Sequence, residues 1–139
     1  MQVHESTIPD RFWHVPYNAA RFPGEAGGLD GGANCQFFAY ELLRAFGISM
    51  PPFRSSELWH DTVHCARVSE AFEPLDLLLF NRTADPYGAH VALFLGDARA
   101  IHLSQRVGLP AIWTIDHFLT EPDYSVLIGG KRPIGKVTT

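Results

Sequence analysis

Apolar residues at helical spacing mark the first regular element of the chain. Phe38, Leu42, Ala45 and Phe46 recur at that interval after Asn34, and Gly47 follows as a stop signal. Asn34 is a good N-cap type, so the helix it opens carries Cys35 in its first turn. A second helix is predicted over 55–67, where Leu58, Trp59, Thr62, Val63 and Ala66 follow a cap from Ser55 or Ser56. Beyond it the period changes. Asp76–Phe80, His90–Leu95 and Arg99–Leu103 are short apolar runs separated by Gly, Asp, Asn and Pro, the pattern of buried strands. A short helical stretch over Ile115–Leu119 and a last strand over Tyr124–Ile128 precede a polar tail. Helices first and strands after, with connections too short for crossover helices, predict an α+β domain with N-terminal helices packed on an antiparallel β-sheet.

Composition narrows the classes. The chain has 139 residues, 46% of them hydrophobic, so it folds, and its length suits one domain. Pro9, Pro16 and Pro23 with the glycines between Gly24 and Gly32 mark residues 1–33 as a loop-rich arm, a lid or rim to a core over 34–139. A formal charge of −4 supplies no basic field for nucleic acid or anionic lipid, so neither is an expected partner. Two cysteines do not make a disulfide framework. The start, Met1-Gln2-Val3-His4-Glu5-Ser6, lacks a signal peptide, and apolar runs such as Leu77–Phe80 fall far short of the ~20 residues that cross a bilayer. The expected location is the cytoplasm, or outside it by a route other than Sec. Gly27-Gly28 and Gly31-Gly32 lack the strand and the Lys-Ser/Thr of a phosphate loop, so no nucleotide and no other cofactor is expected.

The chemistry centres on Cys35. A thiol in the first turn of a helix faces unpaired N–H groups and the positive end of the helix dipole, which favour the thiolate. His90 opens an apolar strand, where an imidazole needs a partner or a cleft, and His102 lies in the next strand. Side chains alternate along a strand, so an odd connection, such as three residues around Gly96-Asp97, brings both imidazoles to one face. A two-residue loop would separate them. Together the three make a nucleophile, a base and a group that orients the base.

Asn34-Cys35-Gln36-Phe37-Phe38-Ala39-Tyr40, with Gly47–Pro51 and Arg54–Trp59 after it, resembles the nucleophile helix and following segment of the NlpC-type cysteine peptidases, papain-like enzymes that cut bacterial cell-wall peptides. Pro74–Phe80 is similar to the family's Pro-Gly-Asp strand, Ala89–Asp97 to its Ser-His-Val-Gly strand, and Ile101-His102-Leu103-Ser104 to the segment of its third polar residue. The resemblance covers roughly residues 16–128. It implies a papain-like fold and a cysteine peptidase that hydrolyses an amide of a peptidoglycan peptide, of D-glutamyl-diaminopimelate type, through Cys35, His90 and His102. It also implies that the Tyr17 hydroxyl lies near the sulfur and that Asn34 and Gln36 contact substrate. Asn34-Cys35-Gln36 departs from the usual Asp-Cys-Ser, so the charge that holds a substrate's free amine is missing. The family's Trp-Gly-Gly segment is replaced by Asn18-Ala19-Ala20-Arg21, and Arg21 is a candidate to grip a substrate carboxylate.

Two other classes compete with this one. His60 and His64, four residues apart on the predicted second helix, have the spacing of a Zn²⁺ pair, with Cys65 or His117 as further ligands. A catalytically silent relative that binds cell-wall fragments or a protein is the other.

Overall fold

The apolar periodicities resolve into three α-helices and six β-strands in the computed structural model, which describes residues 3–134. Helix α1 spans Cys35–Ala45, α2 Ser55–His60 and α3 Ile115–Thr120. The strands are β1 (Cys65–Val68), β2 (Leu77–Asn81), β3 (His90–Gly96), β4 (Arg99–His102), β5 (Ala111–Thr114) and β6 (Val126–Pro133). They form one antiparallel sheet in the order β1-β6-β2-β3-β4-β5, the α+β class read from the sequence.

Strand alternation sorts the core into two layers. Leu77, Leu79, Val91, Leu93, Leu95 and Ile101 pack with Phe38, Leu42 and Leu43 of α1. Leu78, Phe80, Ala92, Phe94 and Ala100 pack on the other side with Phe118 of α3. The sheet is therefore covered on both faces, and its central strands read as nearly continuous apolar runs for that reason.

The second helix ends earlier than its periodicity predicts. Asp61 turns the chain out of α2, its carboxylate accepting from the His64 N–H at 2.8 Å and the Cys65 N–H at 3.0 Å. The buried Lys131 of β6 donates to the carbonyls of Trp59 at 3.0 Å and Asp61 at 2.6 Å and so caps the helix end. Cys65–Val68 then pairs with β6 as a strand. The N-terminal arm is also more than a rim: Val3, Ile8, Phe12 and Val15 are buried in the α1 layer, Phe12 from the second of two short 3₁₀ turns and the others from the segments beside them. The polar tail beyond Ile134 and the first two residues lie outside the described residues. Among the described residues no helix is long and apolar enough to cross a membrane.

The connection between β3 and β4 decides which way His102 points. Gly96 pairs with Arg99 across a two-residue turn, Asp97-Ala98, the length predicted to part the histidines. A bulge at Leu95 restores the parity, because Phe94 pairs with Ala100 and Leu93 with Ile101. That register sets His102 beside Ala92, two residues along from His90 and on the same face. Leu75 shows a related local cost. It holds φ 76° in the position where the resemblance places a glycine.

Asp97 and Ala98 adopt φ values of 54° and 55°, as this turn requires, and Ala98 is exposed. Aspartate tolerates the left-handed region and alanine does not, so Ala98→Gly removes strain without losing burial. The expected gain is about 0.5–1 kcal/mol after the extra chain entropy of glycine, read as a higher urea midpoint at unchanged slope. An unchanged or lower midpoint would contradict it.

Candidate active site

Asn34 caps α1 as its type predicts, its Oδ1 accepting from the Phe37 N–H at 2.9 Å, which places Cys35 at the first helical position. The rest of the amide starts a buried chain of hydrogen bonds. Asn34 Nδ2 donates to Gln36 Oε1 at 3.1 Å, Gln36 Nε2 to Ser55 Oγ at 2.5 Å, and Ser55 Oγ to the Ala89 carbonyl at 2.5 Å. This chain ties the starts of α1 and α2 to the residue before His90. Cys35 and His90 consequently line one open cleft of about 510 Å³, together with Tyr17, Arg54 and Tyr124.

The imidazoles lie on the sheet face opposite α1, and His90 lines the cleft with Cys35 because it is the first residue of β3, at the end of the sheet. His90 Nε2 and His102 Nδ1 are 2.9 Å apart. Tyr124 stacks on the His90 ring at 4.5 Å and 21°. His102 sits against Trp113 at 4.3 Å and Phe118 at 4.6 Å, and its Nε2 is buried with no hydrogen-bond partner among the described residues.

Tyr17 reaches the cleft despite its long separation from Cys35. It bridges Ala33 in parallel, the Asn18 N–H donates to the Ala33 carbonyl at 2.9 Å, and the intervening residues loop outwards. Gly32 permits this approach, since a Cβ there would lie 2.5 Å from the Pro16 carbonyl oxygen. Arg21, expected as a carboxylate grip, is not in the cleft. Its guanidinium donates to the carbonyls of Gly28 at 2.5 Å and Gly32 at 3.4 Å and holds that loop closed.

The zinc alternative loses its geometry. The helix stops at His60, so His60 and His64 do not share a helical face; His60 faces Arg67 and His64 faces Asp61. Cys65 is fully buried beside Asp61, while His117 stacks on Trp113 at 3.9 Å. Among the described residues no group of three potential ligands could hold a metal ion.

Burial reverses the charge state expected of a thiol at a helix start. Desolvation pushes the Cys35 thiol up, outweighing the N–H groups of Val91, Gln36 and Cys35 and the charge of Arg54, which pull it down. Desolvation likewise holds His90 and His102 well below the ordinary imidazole range, and His102 is further disfavoured as a cation by His90 and His117. The resting pair is neutral thiol and neutral imidazole. Burial also raises the Tyr17 hydroxyl, and an ionised Cys35 would raise it further.

Arg54, Ser55 and Tyr124 were not singled out as site residues from the sequence. Arg54 and Ser55 stand in the Arg54–Trp59 patch of the family resemblance, which was a usable signal. Tyr124 enters the cleft from a 3₁₀ turn after α3, and no sequence pattern marks that placement.

No protein-family model and no curated protein matches the chain. Solved structures do. The NlpC/p60 domain of the peptidoglycan hydrolase SagA superimposes with a TM-score of 0.59 at 18% identity, covering 89% of this chain and 91% of that one. An NLP/P60 family protein described as similar to lipoprotein, from Staphylococcus aureus, gives 0.64 at 19% identity over 98% of this chain and 44% of its own length. The peptidoglycan hydrolase RipB of Mycobacterium tuberculosis gives 0.60 at 17% identity over 91% and 61%. The chain thus has the NlpC/p60 fold. It spans nearly all of the SagA domain and less than two-thirds of the other two proteins.

The buried neutral imidazoles make stability depend on pH. Their folded-state pKa values lie below the ordinary 6.5, so the unfolded chain binds more protons as pH falls. Their contribution is complete above about pH 6.5 and is lost as pH falls towards the folded values, by up to ~1.4 kcal/mol per pH unit for each imidazole. Urea unfolding near pH 7 and near pH 5 should show this loss, and His102→Asn should flatten the slope by about one proton. Equal unfolding free energies at both pH values would contradict it.

Proposed function

We propose that the protein is an NlpC/p60-type cysteine peptidase, a hydrolase that opens an amide bond of a peptidoglycan-derived peptide by acyl transfer. One observation carries this reading: Cys35 and His90 line the same cleft while His90 is hydrogen-bonded to His102. The fold shared with structures described as peptidoglycan hydrolases supports the substrate class. A D-glutamyl-diaminopimelate bond is the first candidate for cleavage.

The aromatic surroundings of His102 fix the proton positions in this mechanism. A ring N–H tolerates aromatic neighbours, whereas a buried lone pair there repels their electrons, so the His102 proton is assigned to Nε2. Its Nδ1 then accepts from His90 Nε2–H, which leaves the His90 Nδ1 lone pair as the base. As Sγ bonds to the amide carbonyl, the thiol proton passes to His90 Nδ1. The N–H groups of Cys35 and Gln36, free at the start of α1, are the donors that would receive the developing oxyanion. His90 returns the proton to the departing amine, and water releases the acyl group by the reverse route. Tyr124 keeps the imidazole plane fixed through stacking.

The second reading, a silent binding module, draws on burial, which keeps thiol and imidazole neutral at rest. Turnover separates the two. A panel of defined muropeptides and simple peptide amides, read by mass spectrometry, should show cleavage by the wild type. Cys35→Ala should abolish it and His90→Ala should lower it roughly 10²–10⁴-fold, both with unchanged circular dichroism; His102→Ala should cost less. Full activity in Cys35→Ala would overturn the hydrolase reading.

A further inference from the structure

The charges around the cleft pair off except for one. Arg106 faces Glu121 at 3.6 Å and Asp123 binds Arg82 at 2.6 Å, so each of these cleft residues has its countercharge. Arg54 has none. It lines the cleft with Cys35, is exposed, and makes no ion pair among the described residues; its guanidinium lies only over the Phe22 ring, at 5.1 Å. Its field reaches the site, since it acts on both Cys35 and Tyr17.

The opposite end of the cleft offers no anion. Asn34 is neutral, and its Oδ1 and Nδ2 are both engaged, with Phe37 N–H and with Gln36. Gln36 passes its own amide on to Ser55. A substrate ammonium would therefore find no carboxylate beside Cys35, only that of Asp123, which Arg82 already engages, and would meet the Arg54 cation.

Resting on the reading of Cys35 as nucleophile, we infer that the cleft selects an amide substrate that carries a carboxylate near the scissile bond and no free amine there, with Arg54 as the specificity-determining residue. The guanidinium suits a carboxylate by its charge and by its planar pair of donors. The sign of selection is the reverse of that expected for a site with an aspartate before the nucleophile.

Charged alkylating agents test this without knowledge of the natural substrate. The probes are iodoacetate and iodoacetamide, which place a carboxylate or a neutral amide at the same distance from the attacked carbon. Rates of Cys35 modification are followed by peptide mass spectrometry, which separates Cys35 from the buried Cys65. The iodoacetate to iodoacetamide rate ratio should exceed that of N-acetylcysteine amide by about 5–10-fold at low salt and fall towards it in added salt. Arg54→Gln should bring the ratio to the free-thiol value, and Arg54→Lys should keep most of it. Taking a ratio cancels any change in thiolate fraction caused by the substitution. A ratio equal to the free thiol's, or one unaffected by Arg54→Gln, overturns the inference and leaves the nucleophile standing. Failure of Cys35 to react with either reagent overturns the nucleophile reading, and this inference with it.

Discussion

The hydrogen bond between His90 and His102 depends on one inserted residue. With the two-residue turn alone, His102 would stand opposite Leu93 and project into the α1 layer. The bulge at Leu95 moves it beside Ala92, where it meets His90 Nε2 at 2.9 Å and fits against Phe118 and Trp113. The bulge is itself held from two directions. Leu95 is buried in the α1 layer, and its carbonyl accepts from the Val3 N–H at 2.8 Å. The N-terminal arm, remote from the cleft in sequence, therefore helps to fix the parity on which the imidazole pair rests.

The same burial that orders the imidazoles sets their chemistry. Neutral thiol and neutral imidazole cost less in a desolvated site than an isolated charge on either. In the proposed mechanism, charge separation would become favourable only as the N–H groups near the sulfur and the developing oxyanion share the charge. The cost is that His102 Nε2, beside the rings of Trp113 and Phe118, is buried without a hydrogen-bond partner among the described residues.

Much of this was legible because it is local. The N-cap at Asn34, the apolar period of α1 and the three central strands are short-range signals, and the structure has them within a residue or two. The misreadings are cases where distant residues decide. Val63 and Ala66 continue a helical period after α2, yet Asp61 and the buried Lys131, whose partner carbonyls lie about 70 residues away in sequence, end the helix and free 65–68 for the sheet. A bulge leaves no mark in the pattern of β3, since every residue from His90 to Gly96 is buried. The desolvation that raises the Cys35 thiol is likewise invisible in the sequence, where only the helix dipole that lowers it can be read. Arg21 could be matched to a carboxylate only by type, and the carbonyls that claim it belong to the loop's own fold.

Asn34 shows how a single amide links the charge beside Cys35 to the position of His90. An asparagine both accepts from the helix and donates to Gln36, so the hydrogen bonds run in one direction, from Asn34 through Gln36 and Ser55 to the Ala89 carbonyl. An aspartate cannot donate. Gln36 would have to turn its NH₂ towards it, Ser55 would then donate to the Gln36 oxygen, and the buried Ala89 carbonyl beside His90 would lose its donor. A buried acceptor left unpaired costs about 1–3 kcal/mol, at the strand end that presents the imidazole. In this chain, neutrality at residue 34 is thus coupled to Gln36 and Ser55, and the three residues are best understood as one unit: the arrangement that removes the negative charge from the cleft is also the arrangement that anchors His90.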